Sequence, residues 1–145
     1  MLGRSSGVLM HISSLPNDTG IGDFGKSAYE FIDFSKEAGQ SLWQILPLGP
    51  TGYEDSPYQS FSSFAGNPYF INLDYLVEEG FLHLNDLSNL KEKNNVDVVD
   101  YGFIYKEKMN VLRKAFNNFL IFNAKGEIEV FKKENSYWLE DYSLY

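Results

Sequence analysis

Residues 43–69 read WQILPLGPTGYEDSPYQSFSSFAGNPY, and this stretch decides the fold. The apolar run over residues 42–46 has the right length for a buried strand. Pro47 and the pair Gly49-Pro50 then end that strand. The following loop of about twenty residues has almost no regular periodicity, and structureless loops of that length in compact domains are typically functional. The pattern therefore predicts a strand that leads directly into a functional loop.

The composition of this loop limits the classes of ligand that it could bind but does not identify one. The loop combines aromatic rings with many small hydroxyl and amide side chains. Rings offer flat apolar faces, and Ser, Asn, Gln and Asp offer hydrogen bonds. That combination suits a sugar, which has apolar C–H faces and a rim of hydroxyl groups. It would also suit a peptide or a nucleobase, so composition alone leaves the ligand open.

The residues before the loop predict a β–loop–α–β unit. Residues 7–12 (GVLMHI) have the pattern of a strand, and residues 13–22 form a turn-rich connection. A helix then opens at Asp23 or Gly25, and Gly39 is suited to end it. The prediction of this helix rests on side chains that share one face at helical spacing, namely Ala28, Phe31, Ile32, Ser35 and Ala38. Two strands joined through a helix predict a parallel pair with a right-handed crossover.

Downstream of the loop, the pattern predicts a third short strand and a short helix. The strand covers residues 69–73, and Asp74 is placed to cap a helix over residues 75–79 that Gly80 ends. Residues 81–99 are rich in Asn, Asp, Leu and Lys without a firm period. We read that segment as short helical turns.

The last third of the chain is predicted to be helical. From residue 100, apolar side chains recur at helical spacing to about residue 123, at Tyr105, Met109, Leu112, Phe116 and Phe119. Residues 124–126 are expected to break this helix, and Asn135 or Ser136 to cap another over residues 137–145. That last pattern is apolar and aromatic where the sequence stops. We therefore expect the N-terminal piece of a larger protein, the alternative being a small α/β domain.

The overall composition excludes several classes of protein. The chain has 145 residues and is 43% hydrophobic, which is enough for a folded core. A net charge of −8 without a basic patch argues against nucleic acid as a partner. Without cysteines, and with two histidines far apart in sequence, no metal or cofactor is predicted. The absence of a signal-peptide core and of a long apolar run predicts a cytoplasmic protein without membrane contact.

Six motifs carry a resemblance to a known family. They are RSSGVLMH (residues 4–11), GIGDFG (20–25), WQILPLGPTG (43–52), DSPYQS (55–60), FAGNPY (64–69) and ENSYWLEDY (134–142). Together they resemble the 4-α-glucanotransferases, also called amylomaltases or disproportionating enzymes. The resemblance runs from residue 4 to about residue 80, thins over residues 81–98 and returns to the end of the sequence.

The resemblance implies a (β/α)₈ TIM barrel of the α-amylase-related group, in which active sites lie at the carboxyl ends of the strands. Residues 1–80 would then hold the first βα units, with an active-site loop over residues 47–69. Residues 81–130 would belong to an inserted, mostly helical subdomain. Residues 131–145 would begin a helix that the end of the sequence cuts off.

The resemblance also implies a reaction, retaining transglycosylation. An α-1,4 bond of a malto-oligosaccharide is cleaved, and the glucanyl group passes to the 4-hydroxyl of another glucan. Retention needs a nucleophilic carboxylate and an acid/base carboxyl group ~5–5.5 Å apart. The family's Asp nucleophile and Glu acid/base lie on later strands, so we expect no catalytic residue and no turnover in this chain alone. The alternative is a non-catalytic glucan-binding protein or a truncated remnant.

By resemblance, the sugar-binding residues cluster around Tyr58. Its ring would stack on the sugar next to the scissile bond, since Pro57 limits the backbone that holds it. Ser56, Asp55 and Gln59 flank this ring and would bind sugar hydroxyls or hold the loop. For Asp55, bracing of the loop is the stronger expectation.

Four further residues are assigned to glucan binding by the same resemblance. Asn67 precedes Pro68, a pair that favours a turn. His11 follows the first strand at the expected active-site end, although a lone histidine there is more often structural. Tyr53 and Tyr101 match tyrosines that stack on a glucan at a second site away from catalysis, and simple packing explains them equally well.

Overall fold

The computed structural model describes residues 3–95, 97–122 and 124–144. The strands are β1 (Gly7–Leu9) and β2 (Leu42–Gln44). The helices are α1 (Lys26–Glu37), α2 (Leu73–Glu78), α3 (Ser88–Glu92), α4 (Tyr101–Phe122), α5 (Ala124–Glu134) and α6 (Ser136–Leu144). Short 3₁₀ turns cover Ile12–Ser14, Pro68–Phe70 and Leu84–Leu87. The chain is therefore a mixed α/β structure in which helices dominate.

The predicted parallel strand pair is confirmed. β1 and β2 run parallel, with Val8 opposite Trp43. Beyond the strands, the amide of Met10 donates to the Gln44 carbonyl at 3.0 Å, and the Trp43 indole N–H donates to the Met10 carbonyl at 2.8 Å. β1 is shorter than the predicted strand over residues 7–12, because the chain turns into a 3₁₀ helix at Ile12.

Helix α1 forms where the apolar spacing placed it. Ala28 and Ser35 are buried on its inner face, and the Phe31 ring meets the Trp43 ring edge-on at 4.8 Å. Gly39 adopts a φ of 73°, a left-handed conformation that favours glycine at the end of a helix. α1 thus packs over β2 and forms the crossover between the two strands.

Two predictions just after the loop are wrong, and asparagine side chains explain both. Residues 69–73 do not form a strand, because the Asn67 side chain accepts the Tyr69 amide at 2.9 Å and starts a 3₁₀ turn. The Asn72 side chain then accepts the Tyr75 amide at 3.0 Å, so Asn72 and not Asp74 caps α2. Such local bonds compete with a strand ladder for the same backbone groups.

The helical prediction for the rest of the chain is confirmed with one correction. Residues 81–99 contain the expected short turns, and α4 matches the periodic segment. The predicted break over residues 124–126 is wrong, because α5 begins at Ala124 and continues through Gly126. One glycine costs a helix only about 1 kcal/mol, which good helix formers around it offset. Asn123 and Tyr145, where two helices were predicted to end, lie outside the described residues.

Two hydrophobic clusters share helix α4. The first cluster joins the β–α–β unit to α4 and comprises Ile12, Leu15, Ile21, Ala28, Tyr69, Phe70 and Ile104. The second holds α2 and α3 against α4 and comprises Leu73, Leu82, Leu87, Leu90 and Ala115. Phe103 packs against both clusters, so α4 is their common wall. Within the described ranges, no helix is long and apolar enough to cross a membrane.

Candidate functional site

The carboxyl ends of the two parallel strands meet at one edge, and the aromatic loop starts there. His11 lies two residues beyond the end of β1, and residue 45 follows the end of β2. The loop returns to its own start, since the Asn67 amide donates to the Leu48 carbonyl at 2.8 Å. We call residues 48–67 the substrate loop, after the role that the sequence resemblance implies for it. In open and closed parallel sheets, ligands bind at this carboxyl edge.

Serine hydroxyls inside the substrate loop are used to hold its own backbone. The Ser60 hydroxyl donates to the Ser62 carbonyl at 2.7 Å, and the Ser62 hydroxyl accepts the Ala65 amide at 3.0 Å. Ser60 also lies against Gly49, where an added Cβ would be only 2.9 Å from the Ser60 Cβ. The loop is therefore folded on itself and holds a defined shape before any ligand binds.

Tyr58 stands at the outer end of a tight turn. The Gln59 amide donates to the Ser56 carbonyl at 3.1 Å, and Pro57 occupies the second position of that turn, where its fixed φ is favoured. The Tyr58 amide donates to the Ser56 hydroxyl at 3.4 Å. Tyr58 is 72% exposed, and Gln59 is exposed beside it. The structure thus displays the predicted stacking ring and uses Ser56 to shape the turn beneath it.

Asp55 combines an unusual backbone conformation with a partly buried side chain. Its φ of 54° lies in the left-handed region, which aspartate tolerates better than most residues. Burial raises the pKa of its carboxyl group. Burial also raises the pKa of the Tyr69 hydroxyl, with a smaller contribution from the Asp55 charge. Asp55 thus lies near enough to the buried Tyr69 for its charge to act on the tyrosine hydroxyl.

Tyr101 and Tyr53 occupy different environments. Tyr101 is the first residue of α4, and its ring lies 6.4 Å from the Tyr69 ring at a tilt of 53°. It also borders a cavity of about 1010 Å³ whose walls include Asn94 and Asn95. Tyr53 is fully exposed on the substrate loop. Tyr101 thus has both a packing role and an open face beside polar groups, while Tyr53 presents its whole ring.

His11 lies just beyond β1 at the strand edge, and Asn67 closes the substrate loop. The His11 ring meets the Phe70 ring edge-on at 5.3 Å, and burial lowers the pKa of the imidazole, which favours its neutral form. Within the described residues, the His11 Nδ1 atom is buried without a hydrogen-bond partner. Asn67 is buried, and its side-chain oxygen sets the turn before Tyr69. His11 therefore keeps one unsatisfied polar atom at the strand edge, whereas Asn67 serves the backbone.

The sequence did not reveal a buried polar network around Asp23. Its carboxylate accepts hydrogen bonds from Asn17 at 3.0 Å, from Asn72 at 3.0 and 3.2 Å, and from the Gly25 amide at 2.9 Å. The Lys108 ammonium lies 3.9 Å from the same carboxylate. Of the two residues predicted to open α1, Asp23 and Gly25, it is Gly25 that occupies the capping position. The signal in the sequence was an acid inside an otherwise apolar motif, GIGDFG.

The described part of the chain contains no group of three or more His, Asp or Glu residues placed to hold a metal ion. The exposed rings and polar side chains of the loop suit recognition of a ligand by stacking and hydrogen bonds. A polar, ring-bearing loop at the carboxyl edge of parallel strands is typical of α/β enzymes that bind small ligands there.

Comparisons with known proteins agree with this class and give the family. A family profile described as 4-alpha-glucanotransferase matches residues 10–145. The 4-alpha-glucanotransferase of Clostridium butyricum is 55% identical over 138 residues, 94% of this chain, and that of Streptococcus pneumoniae serotype 4 is 51% identical over 142 residues, 98% of this chain. The chain belongs to the 4-alpha-glucanotransferase family, which confirms the resemblance of the six motifs.

A solved structure shows the same backbone arrangement. The amylomaltase from Streptococcus agalactiae in complex with acarbose aligns over 97% of this chain with a TM-score of 0.88 and 47% identity. The chain spans 28% of the length of that amylomaltase and of the two relatives above.

Proposed function

We propose that this chain is the N-terminal segment of a 4-alpha-glucanotransferase that transfers α-1,4-glucan segments between malto-oligosaccharides with retention of configuration. Family membership over residues 10–145 is the observation that carries this proposal. The display of Tyr58 at the carboxyl edge of the strands supports it, because an exposed ring suits the apolar face of a sugar.

The proposed architecture is the start of a (β/α)₈ barrel. β1, α1 and β2 have the parallel order of the first βα units. In this proposal residues 1–80 belong to the barrel, residues 81–130 to an inserted helical subdomain, and residues 131–145 to a further helical segment. A cytoplasmic setting stays a prediction from composition.

In this function the chain positions substrate and the remaining part of the enzyme supplies the catalytic carboxylates. Tyr58 stacks on the sugar next to the scissile bond, with Gln59 exposed for its hydroxyl groups. Ser56 and Asp55 hold the turn that carries Tyr58. The neutral imidazole of His11 supplies a polar atom at the strand edge. The relative solved with acarbose supports an oligosaccharide ligand at this class of site.

We also propose a secondary glucan site at Tyr53 and Tyr101. The fully exposed ring of Tyr53 supports stacking on a sugar. Tyr101 borders the cavity with Asn94 and Asn95, whose amides suit sugar hydroxyls. Its contact with Tyr69 would hold the Tyr101 ring in place.

The test is a chimeric enzyme. This chain replaces the matching N-terminal 28% of the Clostridium butyricum relative, and disproportionation of maltotriose is followed by chromatography. We expect turnover by the chimera and none by the isolated chain. In the chimera, Tyr58→Ala should lower kcat/KM about five- to thirtyfold, because a sugar–ring contact of about 1–2 kcal/mol is lost. Tyr29→Ala is the matched control, since Tyr29 is 62% exposed on α1, away from the loop.

Three outcomes would change the conclusion. Turnover by the isolated chain would place catalytic carboxylates within these residues. A folded but inactive chimera, together with glucan binding by the isolated chain, would favour a non-catalytic binding protein. Equal activity of the Tyr58→Ala and Tyr29→Ala chimeras would refute the assigned role of Tyr58.

A further inference from the structure

The substrate loop is held by helix α6 as well as by its own hydrogen bonds. Phe64, in the second half of the loop, lies on two aromatic side chains of α6. Its ring stacks on the Trp138 ring with centroids 5.9 Å apart at 24°, and it meets the Tyr137 ring edge-on at 5.3 Å. Both geometries are favourable for aromatic pairs. The loop thus has a second point of attachment, on α6, near the Asn67 end of its base.

Trp138 is itself fixed in orientation. Its indole N–H donates to the Asn135 side-chain oxygen at 3.0 Å, and the Asn135 side-chain amide donates to the Phe131 carbonyl in the last turns of α5 at 2.9 Å. The Tyr142 ring lies 5.9 Å from the indole on the α6 side. The ring that meets Phe64 is therefore locked to the junction between α5 and α6.

Tyr58 lies inside the segment that the two attachments enclose. The base of the loop is closed between Leu48 and Asn67, and Phe64 is anchored to α6, so the turn that carries Tyr58 lies within a closed segment. Closing a flexible segment removes conformations that ligand binding would otherwise have to remove. A loop with this second anchor should bind a sugar more tightly than the same loop without it.

We propose that α6 is a brace for the substrate loop and that Trp138 is a positioning residue for glucan binding. Trp138 acts through Phe64 and does not touch the sugar. The inference rests on the proposed function for its ligand, while the brace itself is a property of the free chain. The two can therefore fail separately.

The brace is tested without a ligand, by amide hydrogen exchange in the full chain. The amides of Asp55 and Gln59 are hydrogen-bonded inside the loop and serve as probes. Trp138→Ala and Phe64→Ala should each speed their exchange about two- to twelvefold, the range for loss of one aromatic pair. The double variant should add little to Phe64→Ala, since Phe64→Ala alone already removes the Phe64–Trp138 contact. Leu144→Ala, an exposed position on the same helix, is the control. Unchanged exchange in Trp138→Ala would overturn the brace.

The functional role is tested in the chimeric enzyme. Trp138→Ala should raise KM for maltotriose about two- to twelvefold with kcat little changed, because preorganisation acts on binding. Trp138→Phe keeps a ring for Phe64 and should restore most of the affinity. Faster exchange with an unchanged KM would overturn the positioning role while leaving the proposed function intact. A chimera that is inactive even with Trp138 present would reject the proposed function, and the exchange data would still decide the brace.

Discussion

Lys108 provides the sharpest test of the buried network. Its side chain is 0% exposed, and its ammonium lies 3.9 Å from the Asp23 carboxylate. Within the described residues, its Nζ atom has no hydrogen-bond partner. Burial lowers the pKa of Lys108 from 10.5 to about 8, although the charges of Asp23 and Asp74 act in the opposite direction. The native state therefore holds this proton less tightly than the unfolded chain does.

The pKa difference fixes both the sign and the size of a pH effect. Between pH 8 and 10.5, the unfolded chain binds a proton that the native chain has released, so the free energy of unfolding rises with pH. At 1.36 kcal/mol per pKa unit, the complete rise is about 3 kcal/mol. Below pH 8 both states are protonated, and the full cost of the buried charge is present.

The assay is urea unfolding of the chain and of its Lys108→Met variant from pH 7 to 10.5. The variant should lack the rise, so the stability of the original chain should gain about 3 kcal/mol relative to the variant over this range. Tyr69 has a raised pKa and works in the opposite direction, but it is present in both proteins and cancels in the difference. Lys106→Met, which removes an exposed lysine from the same helix, is the control. Parallel curves for Lys108→Met and the original chain would refute the depressed pKa.

Two substitutions test the backbone of the site. Gly25→Ala should destabilise the chain by about 2–4 kcal/mol in urea unfolding, because the added Cβ would overlap the Asn72 amide and lie 2.8 Å from the Asp23 carboxylate; Gly66→Ala, which meets open space, is its control, and equal losses would contradict the close packing. Asp55→Gly should be more stable than Asp55→Ala by about 1 kcal/mol, since both lack the carboxylate and only alanine resists a φ of 54°; a thermal midpoint no higher for the glycine variant would argue against the left-handed backbone.

Local patterns in the sequence predicted those helices and strands that are marked by an apolar face or by residues that bound them. The crossover unit was predictable because α1 shows one apolar face and the strand at Trp43 is bounded by proline and glycine. The segment after Asn67 was not, because a strand and a capped turn compete there and the asparagine side chains decide the outcome. A helix through Gly126 was not predicted, because glycine disfavours a helix interior, whereas the neighbouring residues favour one strongly enough to offset it.

In the candidate site, too, some features could be predicted from the sequence and others could not. The resemblance of its motif singled out Tyr58 as a stacking ring, and the structure exposes that ring at a turn. The pairing of Lys108 with Asp23 could not be predicted from the sequence, because the two residues are far apart in it. No periodic pattern on α4 indicates that a lysine is buried there. The contact of Phe64 with Trp138 likewise joins distant segments, and only the folded chain brings them together.

Helix α4 belongs to the proposed insertion but also packs against the residues assigned to the barrel. It contributes Ile104 to the cluster beneath the strands, where its Cδ1 atom would lie 2.5 Å from a Cβ added at Gly20, and it contributes Ala115 to the cluster under α2 and α3. The proposed insertion therefore completes the hydrophobic core of the first βα unit. Removing this segment would also expose the cluster beneath the strands, including Ile12 and Phe70.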